Sequence, residues 1–284
     1  MEIIAFSPGE SYPTISITGT TCALGCLYCQ GYYLKNMHSA MTPADLYSTV
    51  RNLHAKGARG ILISGGFNKD GLLPVRQFLP TIKKIKKDFD LLISLHPGLV
   101  DKVLATEIRM SNIDIVDYEL IIDPFVIRGV KGLNKSPLDY IKSLKFLTKF
   151  GPAYIVPHLL IGLRYGAIAI EKETIDSLLD YDPYLVTFLT FIPTRNTSMA
   201  NCNSPEKEDL IELFSYARKL RGEIALGCMR PQKYKDDTEH LLIEKRLIDR
   251  IAVPSYKIVK KYNLNIIKAC CSMPREFLPK FVDQ

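Results

Sequence analysis

Short runs of apolar, β-branched residues alternate along the chain with longer segments whose apolar positions recur at helical spacing. The runs are TISITG (14–19), GILIS (60–64), DLLISL (90–95), IDIVDYEL (113–120), YIVPHLLI (154–161), LVTFLTF (185–191), EIALGC (223–228) and RIAVP (250–254). Eight such runs with helical segments between them predict parallel strands joined by crossover helices. Helix starts are marked by Thr42-Pro43, Ser136-Pro137 and Ser204-Pro205, each an N-cap hydroxyl ahead of a proline at the first helical position. The helix opened by Thr42 places Asp45 in its first turn, aligns Leu46, Val50 and Leu53 on one face and stops at Gly57. The expected class is α/β, a (β/α)8-type or partial TIM barrel, complete or split. No low-complexity linker or fixed repeat interrupts the pattern, so residues 1–284 read as a single domain with a short C-terminal tail from about 263 to 284.

Composition narrows the class without changing it. With 284 residues, 47% of them hydrophobic and 24% charged, the chain can bury a large core and carries no disorder signature. The most apolar segment, AYIVPHLLIGLRYGAIAI, is interrupted by Pro157, His158 and Arg164, and MEIIAFSPGE has neither a basic stretch nor a long apolar run. The expectation is a cytoplasmic, soluble protein that engages no membrane. The net charge of +7 is spread along the sequence; its one dense run, KKIKK (83–87), suits the last turns of a solvated helix rather than a nucleic-acid surface. A cationic surface still suits an acidic protein partner.

The seven cysteines are an odd number without a disulfide context, which points to reduced thiols kept for metal or redox work. Each is expected at the carboxyl ends of the strands, where such folds gather their chemistry, or in the tail. Cys22, Cys26 and Cys29 follow the first run, Cys202 lies after the sixth, Cys228 ends the seventh, and Cys270 with Cys271 comes after the eighth. Three thiolates in C-x3-C-x2-C leave a tetrahedral zinc, or the fourth iron of a cubane, without a local protein ligand. Zinc stays open as an alternative, although the next histidine, His38, is nine residues past Cys29.

The stretch Cys22-Ala-Leu-Gly-Cys26-Leu-Tyr28-Cys29 resembles the signature of the radical S-adenosylmethionine (radical SAM) superfamily, a C-x3-C-Φ-C motif with Φ aromatic in the loop after the first strand. The resemblance implies that Cys22, Cys26 and Cys29 ligate a [4Fe–4S] cluster whose open iron binds S-adenosylmethionine. Ser64, Gly65 and Gly66 look like the loop that receives the amino group of SAM, or a plain βα turn; Phe67 stands where the superfamily often has an acidic residue. By the same resemblance Gly162 and Ile192, the latter in FIPTRNTSM (191–199), pack the adenosyl moiety, with Tyr28 against the base; Gly162 also reads as a packing glycine. Ser94 and His96 complete the expected cofactor-binding set with Glu119, which shares a strand face with Asp117 and would reach the ribose. His158 reads as a packed strand residue.

Cys202, Cys228, Cys270 and Cys271 remain, and they could hold an auxiliary [4Fe–4S] cluster. Such a second cluster resembles the sacrificial sulfur donor of biotin synthase and lipoyl synthase. The chain departs from lipoyl synthase in carrying no cysteine before Cys22, and from biotin synthase, which places its auxiliary ligands on different strands. Over nearly its whole length it resembles the archaeal biotin-synthase-like proteins that form a two-protein lipoyl synthase, through SITGTTCALGCLYCQGYYLKNM (16–37), LGCMRP (226–231), IAVPS (251–255) and the terminal CC pair. That resemblance implies a sulfurtransferase acting on an octanoylated lysine of a lipoyl carrier protein or peptide. Its partners would be a sister radical SAM subunit and an electron donor such as a ferredoxin. Cys228, Cys270 and Cys271 are the expected auxiliary ligands, Cys202 the next, with Ser272 or Arg230 as a labile fourth. The alternatives are another radical SAM enzyme (biotin synthase-like, a methylthiotransferase or a cofactor maturase) and a non-enzymatic metal-binding or electron-transfer protein.

Overall fold

The computed structural model describes residues 3–282. Along the chain its elements are β1 (Ile4–Phe6), β2 (Thr14–Ser16), β3 (His38–Ser39), α1 (Pro43–Ala55), β4 (Gly60–Ser64), α2 (Leu79–Asp88), β5 (Leu92–Leu95), α3 (Lys102–Met110), β6 (Ile115–Glu119) and α4 (Pro137–Phe150). There follow β7 (Tyr154–Ile161), α5 (Glu171–Asp176), β8 (Leu185–Thr190), α6 (Lys207–Ala217), β9 (Glu223–Leu226), α7 (Asp237–Glu244), β10 (Arg250–Ala252), α8 (Tyr256–Tyr262) and β11 (Ile266–Ile267). All strand pairs are parallel, in the order β11-β1-β10-β9-β8-β7-β6-β5-β4-β2-β3. The sheet is therefore an open, partial barrel with β3 and β11 at its edges. Each of the eight expected strands is present; β1, β3 and β11 are additions.

Two of the three expected helix starts are built as read. At α1 the Thr42 hydroxyl accepts from Asp45 N (3.1 Å) while the Asp45 carboxylate accepts from Thr42 N (3.2 Å). At α4 the Asp139 carboxylate accepts from both Ser136 N and its hydroxyl. The third differs: α6 starts at Lys207, after an extended Glu206, and Ser204-Pro205 lie outside it. Pro205 is held instead by tertiary contacts, since its carbonyl accepts from the Tyr234 hydroxyl and its ring fills the space beside Gly162. In α2 the basic run ends the helix as expected, with Ile82 and Ile85 inward, Lys84 paired to Asp88 and Lys86 to Asp114.

Period-2 alternation divides the strands into two faces. One face packs beneath the helices in the main core, with Ile61, Ile63, Ile93, Leu95, Val116 and Phe188. The other lines the barrel. Its lowest layer takes Phe6, Leu92, Ile115, Val156, Leu185, Ala225 and Ala252, one from each of seven strands, and packs on Ala269, Cys271, Met273 and Phe281 of the tail. Two residues further along the same strands stand Ser94, Asp117, His158 and Thr187, so the layer above the apolar floor is polar.

The tail closes the amino-terminal end of the barrel. Buried Arg250, opening β10, donates to the carbonyls of Cys271 and Met273 and pairs with Glu223. Tyr184, just before β8, donates to Ser272 O (2.7 Å), and Tyr154, opening β7, donates to Glu276. This corrects the expected placement of the cysteines: Cys270 and Cys271 enter from the end opposite the one that carries Cys22, Cys26 and Cys29. The apolar residues Ala269, Met273 and Phe281 draw this segment into the floor. Among the described residues no helix is long and apolar enough to cross a membrane.

Candidate functional site

Cys22, Cys26 and Cys29 lie on a loop that leaves β2 and is braced from two sides. On one side Ala23 N donates to Phe67 O (2.9 Å), and the Cys22 thiol approaches the same carbonyl at 3.8 Å. On the other, Leu27 N donates to Val130 O (2.9 Å) and the Cys26 thiol approaches Lys131 O at 3.8 Å. Gly66 makes the first contact sterically possible: a Cβ there would stand 2.0 Å from Thr21 O and 2.5 Å from Cys22 Cα. Gly66 N is held by the Thr18 hydroxyl at 2.6 Å. Ser64 and Gly65 precede it at the end of β4, so the segment expected to receive SAM forms the wall against which the cysteine loop rests.

The end of the loop is fastened across the barrel mouth. Gln30 Nε2 donates to the Ser198 hydroxyl (3.0 Å), and the Tyr33 and Thr194 hydroxyls meet at 2.8 Å, Thr194 donating in turn to Ile192 O. The structure thus brings the segment 191–199 to the cysteine loop. Gly162 is φ +81, gives its N–H to Glu171 (2.9 Å), and has Pro205 where a Cβ would stand, at 2.4 Å. That contact accounts for the glycine by packing.

Charge beside the loop is organised by a residue the sequence reading did not single out. Lys131, 3% exposed, pairs with Glu119; burial opposes its charge most strongly, and Glu119 together with Tyr140, Tyr28 and Cys26 holds the ammonium pKa well above the usual value. Burial pushes the Cys26 thiol up to about 12, and Lys131 works in the opposite direction. Burial also raises the Cys29 thiol, against the nearby backbone N–H groups of Gly31 and Tyr33. Tyr28 is buried beside the Glu119–Lys131 pair, where burial first and Glu119 second raise its phenol well above the ordinary value. Glu119 is therefore engaged by Lys131. Only the long-range fold could reveal Lys131, because it reaches the cysteines through its pairing with β6.

Deeper in the barrel a second thiol group assembles. Cys228, at the end of β9, is an electrostatic neighbour of both Cys270 and Cys271, and Asp117 acts on all three. Burial raises the Cys228 thiol, although the residue is open to water. In the Cys270–Cys271 pair, Cys271 donates to Cys270, which also accepts from the Ser272 hydroxyl at 3.2 Å; these bonds lower Cys270 and raise Cys271. Cys202 packs instead with the main hydrophobic core. Arg230 is buried with every N–H used, on Glu239 and on the carbonyls of Gly227, Ala252 and Val253. It has no free nitrogen for a metal, which removes it as a fourth ligand, whereas Ser272 remains in place.

Beside these thiols stand His96, Asp117 and His158, with the His96 and His158 rings 5.6 Å apart. Ser94, one layer down from His96, is fully buried and accepts from the Tyr12 hydroxyl (3.1 Å). Burial lowers the His96 pKa, with Asp117 opposing. Sequence alternation put Asp117 on the inner face of its strand; the inward turn of His158 followed only from pairing β6 with β7, in which Glu119 stands opposite His158.

No protein-family model matches the chain, and no curated protein matches it in sequence. Solved structures do. The methylornithine synthase PylB aligns with 88% of this chain and 72% of its own at 16% identity and a TM-score of 0.61. HydG, a maturase of the [FeFe]-hydrogenase, aligns with 98% of this chain and 66% of its own at 12% identity and a TM-score of 0.68. Streptococcus suis SuiB, solved with S-adenosylmethionine bound, aligns with 89% of this chain and 51% of its own at 15% identity and a TM-score of 0.55. The chain shares their fold. It spans about half the length of SuiB and roughly two thirds to three quarters of the other two.

Proposed function

We propose that this protein is a radical SAM enzyme that inserts sulfur into an unactivated C–H bond of a protein-bound octanoyl chain. The fold shared with HydG, PylB and SAM-bound SuiB and the free thiols of Cys22, Cys26 and Cys29 support the first half of the reading. The second half rests on Cys228, Cys270 and Cys271 acting electrostatically on one another, with Asp117 as a neighbour they share.

Both donor sets fit the groups they would hold. Three soft thiols on one loop, beside a buried ammonium that offsets thiolate charge, suit a [4Fe–4S] cluster with one open iron. Cys228, Cys270 and Cys271 suit an auxiliary cluster, with Ser272 as a weak fourth donor that can let go. When bound, the first cluster and SAM supply a 5′-deoxyadenosyl radical able to abstract hydrogen from an alkyl chain.

The chain's own residues do the rest. Gly66 and the Lys131 backbone fix the loop, while the Tyr33–Thr194 and Gln30–Ser198 bonds hold it over the mouth. The floor of Leu92, Ile115, Val156 and Met273 keeps water from below. The net charge of +7 favours an acidic carrier protein. A sister subunit and a ferredoxin-type donor belong to the same proposal.

A second reading, another radical SAM enzyme such as a cofactor maturase, is supported by the likeness to HydG. Iron and acid-labile sulfide after anaerobic reconstitution separate the two. Sulfur insertion expects about eight irons per chain, falling to about four in the Cys22/Cys26/Cys29→Ala variant and equally in the Cys228/Cys270/Cys271→Ala variant. About four in the wild type, all lost with Cys22, Cys26 and Cys29, would leave the second reading in force. SAM cleavage and sulfuration of an octanoyl-lysine peptide are the matching activity readouts.

A further inference from the structure

One polar group in the barrel belongs to neither thiol set. His96 after β5, Asp117 on β6 and His158 on β7 lie on three adjacent strands, and their ligand atoms all fall within 4.8 Å of one another. The Asp117 side chain is 1% exposed, and neither of its carboxylate oxygens has a hydrogen-bond partner. Burying a carboxylate in that state is costly unless a positive charge compensates it.

Both imidazoles face it, with His96 Nε2 3.8 Å from Oδ2 and His158 Nε2 4.0 Å from Oδ1. These separations are too long for hydrogen bonds. The His158 ring is fixed from behind: its Nδ1 lies 3.0 Å from Val156 O, an oxygen that can only accept. Nδ1 therefore carries the proton, and in the neutral ring the Nε2 lone pair points toward the carboxylate. That lone pair and the Asp117 carboxylate, directed at one space, repel unless a cation lies between them.

We propose that His96, Asp117 and His158 bind a divalent transition-metal ion in the barrel interior. An ion about 2.1 Å from each ligand atom spans at most about 4.2 Å, so separations of 3.8 and 4.0 Å are within its reach, and a small inward turn of the rings closes the ligand angles. A backbone carbonyl behind the ligating ring is the support that metal-bound histidines have. Two imidazoles and one carboxylate suit Fe2+, Mn2+, Co2+ or Zn2+, and leave coordination positions open to water or a substrate oxygen. The His96 side chain is 36% exposed, which gives the ion a path in from the mouth.

The site is independent of the sulfur-insertion reading, and its test separates the two. Mn2+ is the probe because a hard ion disfavours thiolates. The full chain, with its cysteine sites reconstituted anaerobically, is titrated with Mn2+ and the free ion read by electron paramagnetic resonance. One Mn2+ per chain is expected in the wild type and in Cys228→Ser. Affinity should fall at least about tenfold in Asp117→Asn and in His158→Gln. Mn2+ should raise the wild-type Tm and leave that of Asp117→Asn unmoved. Circular dichroism, with unchanged iron content in Asp117→Asn and His158→Gln, establishes that the variants are folded; His96→Gln, altering a partly exposed side chain, serves where Asp117→Asn does not fold. Absence of saturable binding, binding undiminished in the Asp117, His158 and His96 variants, or binding lost only in Cys228→Ser would each overturn the proposal.

Discussion

At Gly66 a single missing methyl group decides where the cysteine loop can sit. A Cβ would stand 2.0 Å from Thr21 O and 2.6 Å from Cys22 Cβ, and the nearest obstruction is backbone, which cannot swing aside. Gly66→Ala should cost about 1–3 kcal/mol of stability and reduce the iron retained by Cys22, Cys26 and Cys29 while sparing the second thiol set. Thermal melts combined with iron counts in the background of each cysteine variant check this. Arg230 makes a different case, since it spans the ends of β9 and β10 and its partner Glu239 is equally buried. Arg230→Met should cost about 3–5 kcal/mol, because Glu239 is left charged and unpaired; adding Glu239→Gln should restore part of the loss. The cysteine spacing was legible because it is local. Arg230, Lys131 and His158 were not, because each acquires its meaning from a partner on another strand.

At the scale of elements, the eight long apolar runs announced themselves, whereas β1, β3 and β11 have only three, two and two residues and no pattern to read. Helix starts were legible where the cap closes within four residues, as at Thr42 and Ser136. Ser204-Pro205 carried the same local signal and lost to tertiary packing on Gly162 and Tyr234. Thr42→Ala should lower stability by about 0.5–2 kcal/mol, measured by denaturant titration, because the capping box at α1 is complete. The tail carries a pH-sensitive fastening. Tyr154 donates to Glu276, which raises its phenol to about 12. A free tyrosine ionises near about 10, so this contact contributes fully below that pH and is lost as pH rises through about 12. Stability measured by denaturant titration should therefore fall over that interval, and Tyr154→Phe should remove that part of the pH dependence.

At the scale of the whole molecule, an open parallel sheet has two liabilities, a bare edge and an unfilled interior. The C-terminal segment answers both: Ile266 and Ile267 pair with Ala5 and Phe6 at the β1 edge, and Met273 and Phe281 fill the floor. The same segment brings Cys270 and Cys271 to Cys228. Stability and the placement of the second thiol set are thus coupled through about twenty residues, and the sequence hinted at only one of the roles, through the paired cysteines. A chain ending after residue 263 should expose the apolar floor and the β1 edge, lower Tm and aggregate at concentrations the intact chain tolerates. The double variant Cys270→Ser/Cys271→Ser keeps the packing residues and should melt near the intact chain while losing the iron of the second set. If the thiols rather than the apolar side chains held the floor closed, the double variant and the truncation would melt alike; calorimetry of both, with iron determined on the same samples, separates packing from ligation.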